Sequence, residues 1–189
     1  MIGLILFAVL GALLLLIFLL VGLWDFPTAV VQSPAAGAVR QMVKLEGLTF
    51  TGEAVLLDDT DYRMLLANPG LRDTAKRLRR DRQELALLWI AMLLHDLKEL
   101  RRFRQFLLRR GVPAGLGEEA RISCAFVCSL FLLHAARLVI RLAGPFALRR
   151  TARRSRRLVE LMSYAAALVL NRVPRTGWTD VEDSWAHAA

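Results

Sequence analysis

The chain has 189 residues, of which 56% are hydrophobic, and its formal net charge is +9. A mean hydropathy of +0.42 is high for a soluble protein and indicates membrane association. The length allows one domain with an appendage. The positive charge comes from 23 arginines and three lysines, and it favours anionic partners such as acidic phospholipid, nucleic acid or an acidic protein face. Two cysteines, Cys124 and Cys128, on one predicted helix are not a disulfide framework, and we expect both to be buried apolar residues.

The first 25 residues predict a transmembrane anchor. Ile2–Trp24 is a run without a charged side chain, and as a helix it would be ~35 Å long, enough to cross a bilayer. A cleaved signal peptide is the alternative, but no Lys or Arg precedes the run, the run is too long, and no small-residue cleavage site follows it closely. We therefore expect a single-pass protein with its basic body on the cytoplasmic side.

Residues 26–72 predict a linker with short helices. Ser33-Pro34 provides an N-cap and a first-turn proline, and Gly47 stands where a C-cap glycine is expected, so we predict a helix over 34–46. A second short helix is expected to run to about Ala67.

Three aspartates precede that second helix, namely Asp58, Asp59 and Asp61. Clustered carboxylates of this kind can hold a divalent cation. Asp and Thr side chains at this position also cap helices by accepting hydrogen bonds from free backbone amides. We favour capping because no further ligand set is visible.

Residues 73–173 predict a basic helical bundle of about three main helices, which makes the fold class all-α. Three apolar blocks, 85–94, 122–136 and 158–170, recur between arginines, and the first lies in a long helix over Thr74–Arg110 that Asp73 or Thr74 should cap. A block that is apolar on every side must be covered on every side, but ten residues cover only ~15 Å and cannot span a bilayer. Antiparallel packing around a shared apolar layer is expected.

A transmembrane hairpin made from 122–140 and 158–172 is the rival arrangement. Its first segment could cross if Arg137 and Arg141 extend to the interface, but its second is several residues too short. We therefore favour the single span. The remaining residues, 174–189, predict an acidic, loosely held tail.

The sequence Leu94-His95-Asp96-Leu97-Lys98 resembles the His-Asp core of the HD-domain phosphohydrolases. That resemblance implies a metal bound by His95 and Asp96 with a histidine upstream and an aspartate downstream. No histidine precedes His95 in this chain, so we expect no metal and no cofactor. Phosphate-binding loops, zinc-protease motifs and nucleophile elbows do not occur in the sequence either.

Gly144-Pro145 should break or kink the chain. Arginines dominate the segment between this point and the third block, and we assign them to anionic headgroups or a protein partner. They are Arg149, Arg150, Arg153, Arg154, Arg156 and Arg157. Nucleic acid is not expected, because few aromatic residues are interleaved with them and no binding fold is recognisable.

The sequence therefore predicts a membrane-anchored, non-enzymatic scaffold or accessory subunit that binds a protein partner and anionic lipid. Homo-oligomers could form through the anchor, where Ala8, Gly11 and Ala12 offer a small-residue face. Two alternatives remain, a multi-pass subunit of a larger membrane complex and a membrane-bound enzyme. The best residues for such an enzyme are Asp58, Asp59, Asp61, His95 and Asp96.

Overall fold

The computed structural model describes residues 34–50, 52–110 and 116–188, and these ranges are helical with no strand. The all-α prediction is confirmed. The predicted anchor, residues 1–25, lies outside the described residues, together with its small-residue face. Among the described residues, Ile122–Ala143 is long and apolar enough to cross a membrane. The structure thus gives no support to the N-terminal position of the span.

Four short helices come first in the described chain: α1 (Pro34–Val43), α2 (Glu46–Thr49), α3 (Glu53–Leu56) and α4 (Thr60–Ala67). α1 begins at the predicted proline but ends before the predicted boundary at residue 46. Lys44 stops it by adopting a φ of 52°, in the left-handed region that terminates helices. Gly47 is therefore not a C-cap, and it lies inside α2 instead. α4 ends at Ala67, as predicted.

Three long helices follow, namely α5 (Arg72–Arg109), α6 (Leu116–Ala143) and α7 (Arg149–Leu170). Each packs against the other two, and each contains one of the predicted apolar blocks. Arg79 near the start of α5 contacts Ala143 at the end of α6, whereas Arg104 near the end of α5 contacts Glu119 at the start of α6. The two helices are therefore antiparallel.

The shared core contains two large aromatic side chains of α5, Trp89 and Phe103, and aliphatic side chains from all three helices. Its most deeply buried members include Trp89, Leu93, Leu97, Phe103, Leu133, Ile140, Val159 and Leu170. The apolar block of α5 is nonetheless not covered on every side, because Leu85 and Leu88 are more than half exposed. The expectation of complete cover was wrong, since α6, α7 and the short helices leave one side of α5 open.

The C-terminal end of α6 is fixed by α5. Gly144 follows the helix with a φ of 91°, a conformation that favours glycine, and Pro145 prevents continuation. Gln83 Nε2 donates to the carbonyl of Ile140 at 3.0 Å, and Arg79 Nη2 donates to that of Ala143 at 3.1 Å. The Ala143 carbonyl is one that the helix itself leaves open, whereas the Ile140 carbonyl also accepts a hydrogen bond from the Gly144 amide at 3.0 Å. The predicted break at Gly144-Pro145 is confirmed.

The C-terminal segment differs from the loosely held tail that the sequence analysis expected. After a 3₁₀ turn at Arg175–Gly177 it forms helix α8 (Trp178–Ala186), in which Val181 and Trp185 are buried. The Trp185 ring meets those of Phe103 and Phe106 on α5 at centroid distances of 5.2 and 5.5 Å, both edge-on. The burial of the Trp185 ring stabilises the docking of α8 on α5, although the segment also carries acidic residues that favour solvent.

Candidate interaction surface

The acidic cluster is tied to α5 and does not form a cation site. Arg82, a buried residue of α5, donates from Nη1 to the Asp58 carbonyl and from Nη2 to Asp61 Oδ2 at 2.5 Å. Asp59 pairs with Arg63 at 2.5 Å. The Asp58 carboxylate accepts a hydrogen bond from Thr60 Oγ1 at 3.2 Å, so the three carboxylates have separate partners. No side-chain hydrogen bond from Asp59 caps α4, so the capping interpretation was wrong as well.

Capping of the long helix was also predicted incorrectly. α5 begins at Arg72 after the 3₁₀ turn Pro69–Leu71, and its N-cap residue is Leu71, which makes no side-chain cap. Asp73 instead pairs with Lys76 at 3.2 Å along the exposed side of the helix. The 3₁₀ turn leads directly into α5, so the start of the helix does not depend on a side-chain cap.

His95 and Asp96 point to different sides of α5 and do not form a metal pair. His95 is exposed, whereas Asp96 is 1% exposed and directed at α2. The two other histidines, His134 and His187, are exposed on α6 and just beyond α8. Throughout the described ranges there is no group of three or more His, Cys, Asp or Glu residues that could hold a metal.

Asp96 has a structural role at the N-terminus of α2. Its Oδ2 accepts a hydrogen bond from the Leu48 amide at 2.9 Å. Burial raises the pKa of its carboxyl above the ordinary value, while the amides of Leu48, Gly47 and Glu46 act in the opposite direction. Asp96 therefore holds α2 against α5.

Two further contacts complete this attachment. Trp89 Nε1 donates to the Gly47 carbonyl at 3.2 Å, and Arg156 of α7 donates to the Leu48 carbonyl at 3.3 Å. A Cβ at Gly47 would lie 2.7 Å from the Leu93 nitrogen, so only glycine permits this approach of two backbones.

The proposed enzyme residues do not meet in one place. Asp58 and Asp61 are attached to Arg82, which lies fourteen residues before Asp96 on α5, a separation of ~21 Å along the helix. A small cavity of about 120 Å³ lies elsewhere, between α5 and α6. It is lined by the ion pair at 2.7 Å between the buried Arg104 and the partly exposed Glu119. The cavity volume is well below the ~300 Å³ at which ligand pockets usually begin.

The predicted arginine cluster occupies the first half of α7. Arg156 is partly buried, and it donates to Glu160 at 3.2 Å as well as to the Leu48 carbonyl. Arg157, by contrast, is exposed. In the sequence, Arg150, Arg154 and Arg157 are spaced by four and then three positions. Arg156 has a packing role that composition alone did not indicate.

The outward side of α6 exposes apolar side chains that the described fold does not cover. Large apolar side chains are exposed along it: Val127 at 56%, Phe131 at 49%, Leu138 at 57% and Leu142 at 78%. Cys124 is exposed on the same side, contrary to prediction, whereas Cys128 is buried as predicted. We call the row Cys124, Val127, Phe131, His134, Leu138 and Arg141 the outer seam.

The outer seam lies opposite a second row that faces the bundle. The inner seam consists of Ile122, Phe126, Ser129, Leu133, Ala136 and Ile140, and all of its members are buried. Both rows step by three or four residues, the spacing at which helical side chains share one side. α6 is therefore apolar on two opposite sides, and only one of them is covered within the described chain.

Comparisons with protein-family models, with curated proteins and with solved structures find no match for this chain. The functional argument therefore rests on the surfaces themselves. The outer seam was missed at the sequence level because residues 122–136 were treated as one apolar block. Separating that block into two rows of helical spacing would have identified it.

Proposed function

We propose that this protein is a membrane-anchored, non-enzymatic helical scaffold or accessory subunit. Its body binds a helical protein partner through the outer seam of α6 and anionic lipid through the arginines at the start of α7. The exposed apolar outer seam is the observation that carries the proposal. Contiguous exposed apolar surface on a folded body is typical of an interaction site.

The charges on α5 favour a protein partner over a membrane crossing by α6. If α6 crossed the bilayer with its inner seam still packed, the antiparallel α5 would enter the hydrocarbon beside it. α5 exposes Glu84, Lys98 and Arg102 along its length. Charged residues at the bilayer centre cost about 2.5–3.5 kcal/mol each on insertion scales. An intact bundle is therefore better accommodated beside the membrane, with residues 1–25 as its anchor.

The rival hairpin is disfavoured by the second apolar segment. Val159–Leu170 is short for a span, and most of its side chains are buried against α1, α5 and α6. A multi-pass arrangement would require α7 to leave these contacts. It remains the alternative to test, since α6 has the length and hydropathy of a span and is the one helix of the described ranges that does.

Paired substitutions in full-length protein test the partner-binding role. Val127→Glu combined with Leu138→Glu places two charges on the outer seam. Gln41→Glu combined with Ala91→Glu places the same charges on exposed positions of α1 and α5. In mild-detergent extracts of the native membrane, we expect the first variant to shift to a smaller assembly and the control to run as wild type. Unchanged assembly size in a folded Val127→Glu/Leu138→Glu variant would overturn the proposal.

Lipid contact is tested by hydrogen exchange of the full-length protein in nanodiscs. We expect the first half of α7 to exchange more slowly in anionic than in neutral nanodiscs, because each basic residue near an anionic surface contributes about 1 kcal/mol. Replacing Arg150, Arg154 and Arg157 by serine should abolish the difference. Equal exchange of the wild-type protein in both lipids would remove anionic lipid from the proposal.

A further inference from the structure

We infer that the hairpin formed by α4 and the start of α5, residues 60–80, inserts its tip into the interface of an anionic membrane leaflet. The inference rests on the proposed membrane-anchored role and names a lipid-binding surface other than the arginines of α7. Three observations carry it: the hairpin projects from the bundle, its tip is apolar, and basic residues follow the tip.

The hairpin extends beyond the end of the bundle. Arg82 of α5 pairs with Asp61 at the start of α4, and the chain then returns to the start of α5 through the 3₁₀ turn Pro69–Leu71. α4 therefore runs antiparallel to the first turns of α5. The last residue of α6, Ala143, is level with Arg79, which donates to its carbonyl at 3.1 Å. The seven residues of α5 before Arg79 thus extend ~10 Å past the end of α6.

The tip of the hairpin presents apolar side chains that the bundle does not cover. α4 has eight residues and none of them is buried, and across residues 60–80 the one buried side chain is Ala75. Helices of this length are marginal in water unless they pack against something. Met64 is 63% exposed, Leu66 43% and Leu71 41%. A medium that takes up apolar side chains would therefore stabilise α4 as well as cover the tip.

Basic residues dominate the part of the hairpin next to the tip. Residues 62–80 contain six basic side chains and one acidic, Asp73. The basic residues are Arg63, Arg72, Lys76, Arg77, Arg79 and Arg80. Those on α5 lie within ~12 Å of the tip along the helix axis, and their long side chains can extend towards headgroups while the tip is inserted. Apolar side chains followed by a basic ring match the acyl chains and the anionic headgroups of one leaflet.

The acidic residues of this region are set back from the tip. Asp58 and Asp59 precede α4 and Asp61 lies in its first turn, so all three are at the end of α4 remote from the turn. Asp59 pairs with Arg63 and Asp61 with Arg82. The charge arrangement thus favours an anionic surface at the tip. A convex tip also needs no complementary groove in lipid, whereas a protein partner would have to provide one.

The hairpin lies beside the arginine-rich start of α7. The Tyr62 ring of α4 stacks on the Phe146 ring, with a centroid distance of 5.0 Å. Phe146 is three positions before Arg149, where α7 begins. The surface that we infer and the proposed lipid contact of α7 are therefore at neighbouring positions on the molecule.

Fluorescence quenching in nanodiscs with brominated acyl chains tests the position of the tip. A bimane label is attached to full-length Leu66→Cys in a Cys124→Ser background, because Cys124 is the exposed native cysteine. We expect strong quenching in anionic nanodiscs, less in neutral ones, and none for Arg109→Cys at the exposed opposite end of α5. Absence of quenching at Leu66→Cys, repeated at Met64→Cys, would overturn the inference. Equal quenching at Arg109→Cys would also overturn it, since the tip would then not be the inserted part.

Substitution of the apolar side chains tests what drives insertion. In labelled Leu66→Cys, we expect Met64→Ser/Leu71→Ser to lower the inserted fraction roughly 10-fold or more, because two apolar side chains no longer leave water. Val127→Ser/Leu138→Ser is the matched control, since it removes apolar side chains of comparable exposure from α6. The control should be quenched as strongly as the unsubstituted labelled protein. An equal decrease in both variants would contradict insertion through the hairpin.

Substitution of the basic side chains tests the lipid class. Arg72→Ser/Lys76→Ser should remove the difference in quenching between anionic and neutral nanodiscs. Lys98→Ser/Arg102→Ser changes two exposed basic residues farther along α5 and should preserve the difference. If both variants preserve it, the basic ring does not contact headgroups and the inference fails.

Two further results separate this inference from the proposed function. An unquenched tip in a protein whose α7 still exchanges more slowly in anionic nanodiscs overturns the inference and leaves the proposed lipid contact of α7 intact. A quenched tip with equal exchange of α7 in both lipids supports the inference, while the proposed contact of α7 fails. If the tip is unquenched in nanodiscs but Leu66→Cys is protected from a water-soluble maleimide in native membranes, a protein covers the hairpin and the inference is overturned.

Discussion

Helices α6 and α7 contain apolar segments of similar composition but differ in how those segments are covered. The apolar half of α7 is enclosed, because α1 lies against it on one side and α5 and α6 on the others. α6 is covered by α5 and α7 on its inner seam only, and its outer seam is open. The difference shows that apolar content predicts burial only where enough neighbouring elements exist. The uncovered surface of α6 is where we propose that a partner binds.

The strongest test of this difference compares two leucines on the same helix. Leu133 on the inner seam is fully buried and Leu138 on the outer seam is exposed. We expect Leu133→Ala to lower the free energy of unfolding by about 2–5 kcal/mol and Leu138→Ala to change it by less than ~0.5 kcal/mol in dilute protein. Chemical unfolding in detergent, followed by circular dichroism, measures both. Equal losses would mean that both seams are covered within one chain.

The cover provided by the short helices can be disturbed at Gly47. Gly47→Ala would push α2 away from the α5 backbone, and we expect a loss of about 1–3 kcal/mol in unfolding free energy. Gly37→Ala is the matched control, because nothing lies within 4 Å of a Cβ at that α1 position. It should stabilise the helix by about 0.5–1 kcal/mol. A tolerated Gly47→Ala would show that α2 does not pack closely on α5.

Trp185→Ala tests whether α8 contributes cover to α5 in the same way. Removing the ring eliminates its contacts with Phe103 and Phe106. The loss is limited to the docking of α8, so we expect a smaller change in global stability than for Gly47→Ala. Faster trypsin cleavage after the exposed Arg175 is the measurable sign. His187→Ala, at an exposed position just beyond α8, should leave the cleavage rate unchanged.

The smallest expected effect is a change in how the free energy of unfolding depends on pH when Asp96 is replaced. Because the pKa of this buried carboxyl is raised, the native state retains a proton that the unfolded chain has lost. The associated stability is present below the ordinary carboxyl pKa and is lost as the pH rises through the raised value. As the pH rises from about 4, the wild type should lose this contribution and Asp96→Asn should not. The unfolding free energy of the variant should therefore increase relative to that of the wild type. A difference that does not vary with pH, or varies oppositely, would contradict the burial of an ionisable group here.

The sequence predicted the long helices well because their signals are local. Apolar blocks between arginines located α5, α6 and α7, and Gly144-Pro145 located the break between the last two. Wrong predictions arose where a distant residue decides the outcome. Gly47 was taken as a helix end, but its role is set by the backbone of Leu93 on α5. Asp96 was read beside its neighbour His95, although its partner is Leu48.

The C-terminal segment shows the same limit. Its acidic residues indicated a solvated tail, yet Trp178, Val181 and Trp185 follow helical spacing and form one apolar side. That pattern could be recognised in the sequence, but the surface of α5 on which it docks could not. The arginine cluster lies in the first half of α7. The contact of Arg156 with the Leu48 carbonyl depends on α2, which is more than a hundred positions away in the sequence.

The packing of α8 also affects how deletion experiments on this protein should be designed. A truncation at Pro174 would remove the ring that covers Phe103 and Phe106 and leave two aromatic side chains exposed on α5. Such a protein would be prone to aggregate through a surface that the intact chain does not present. Self-association of a shortened variant would then be an artefact of the deletion, so purification tags are better added after the last residue than substituted for this segment.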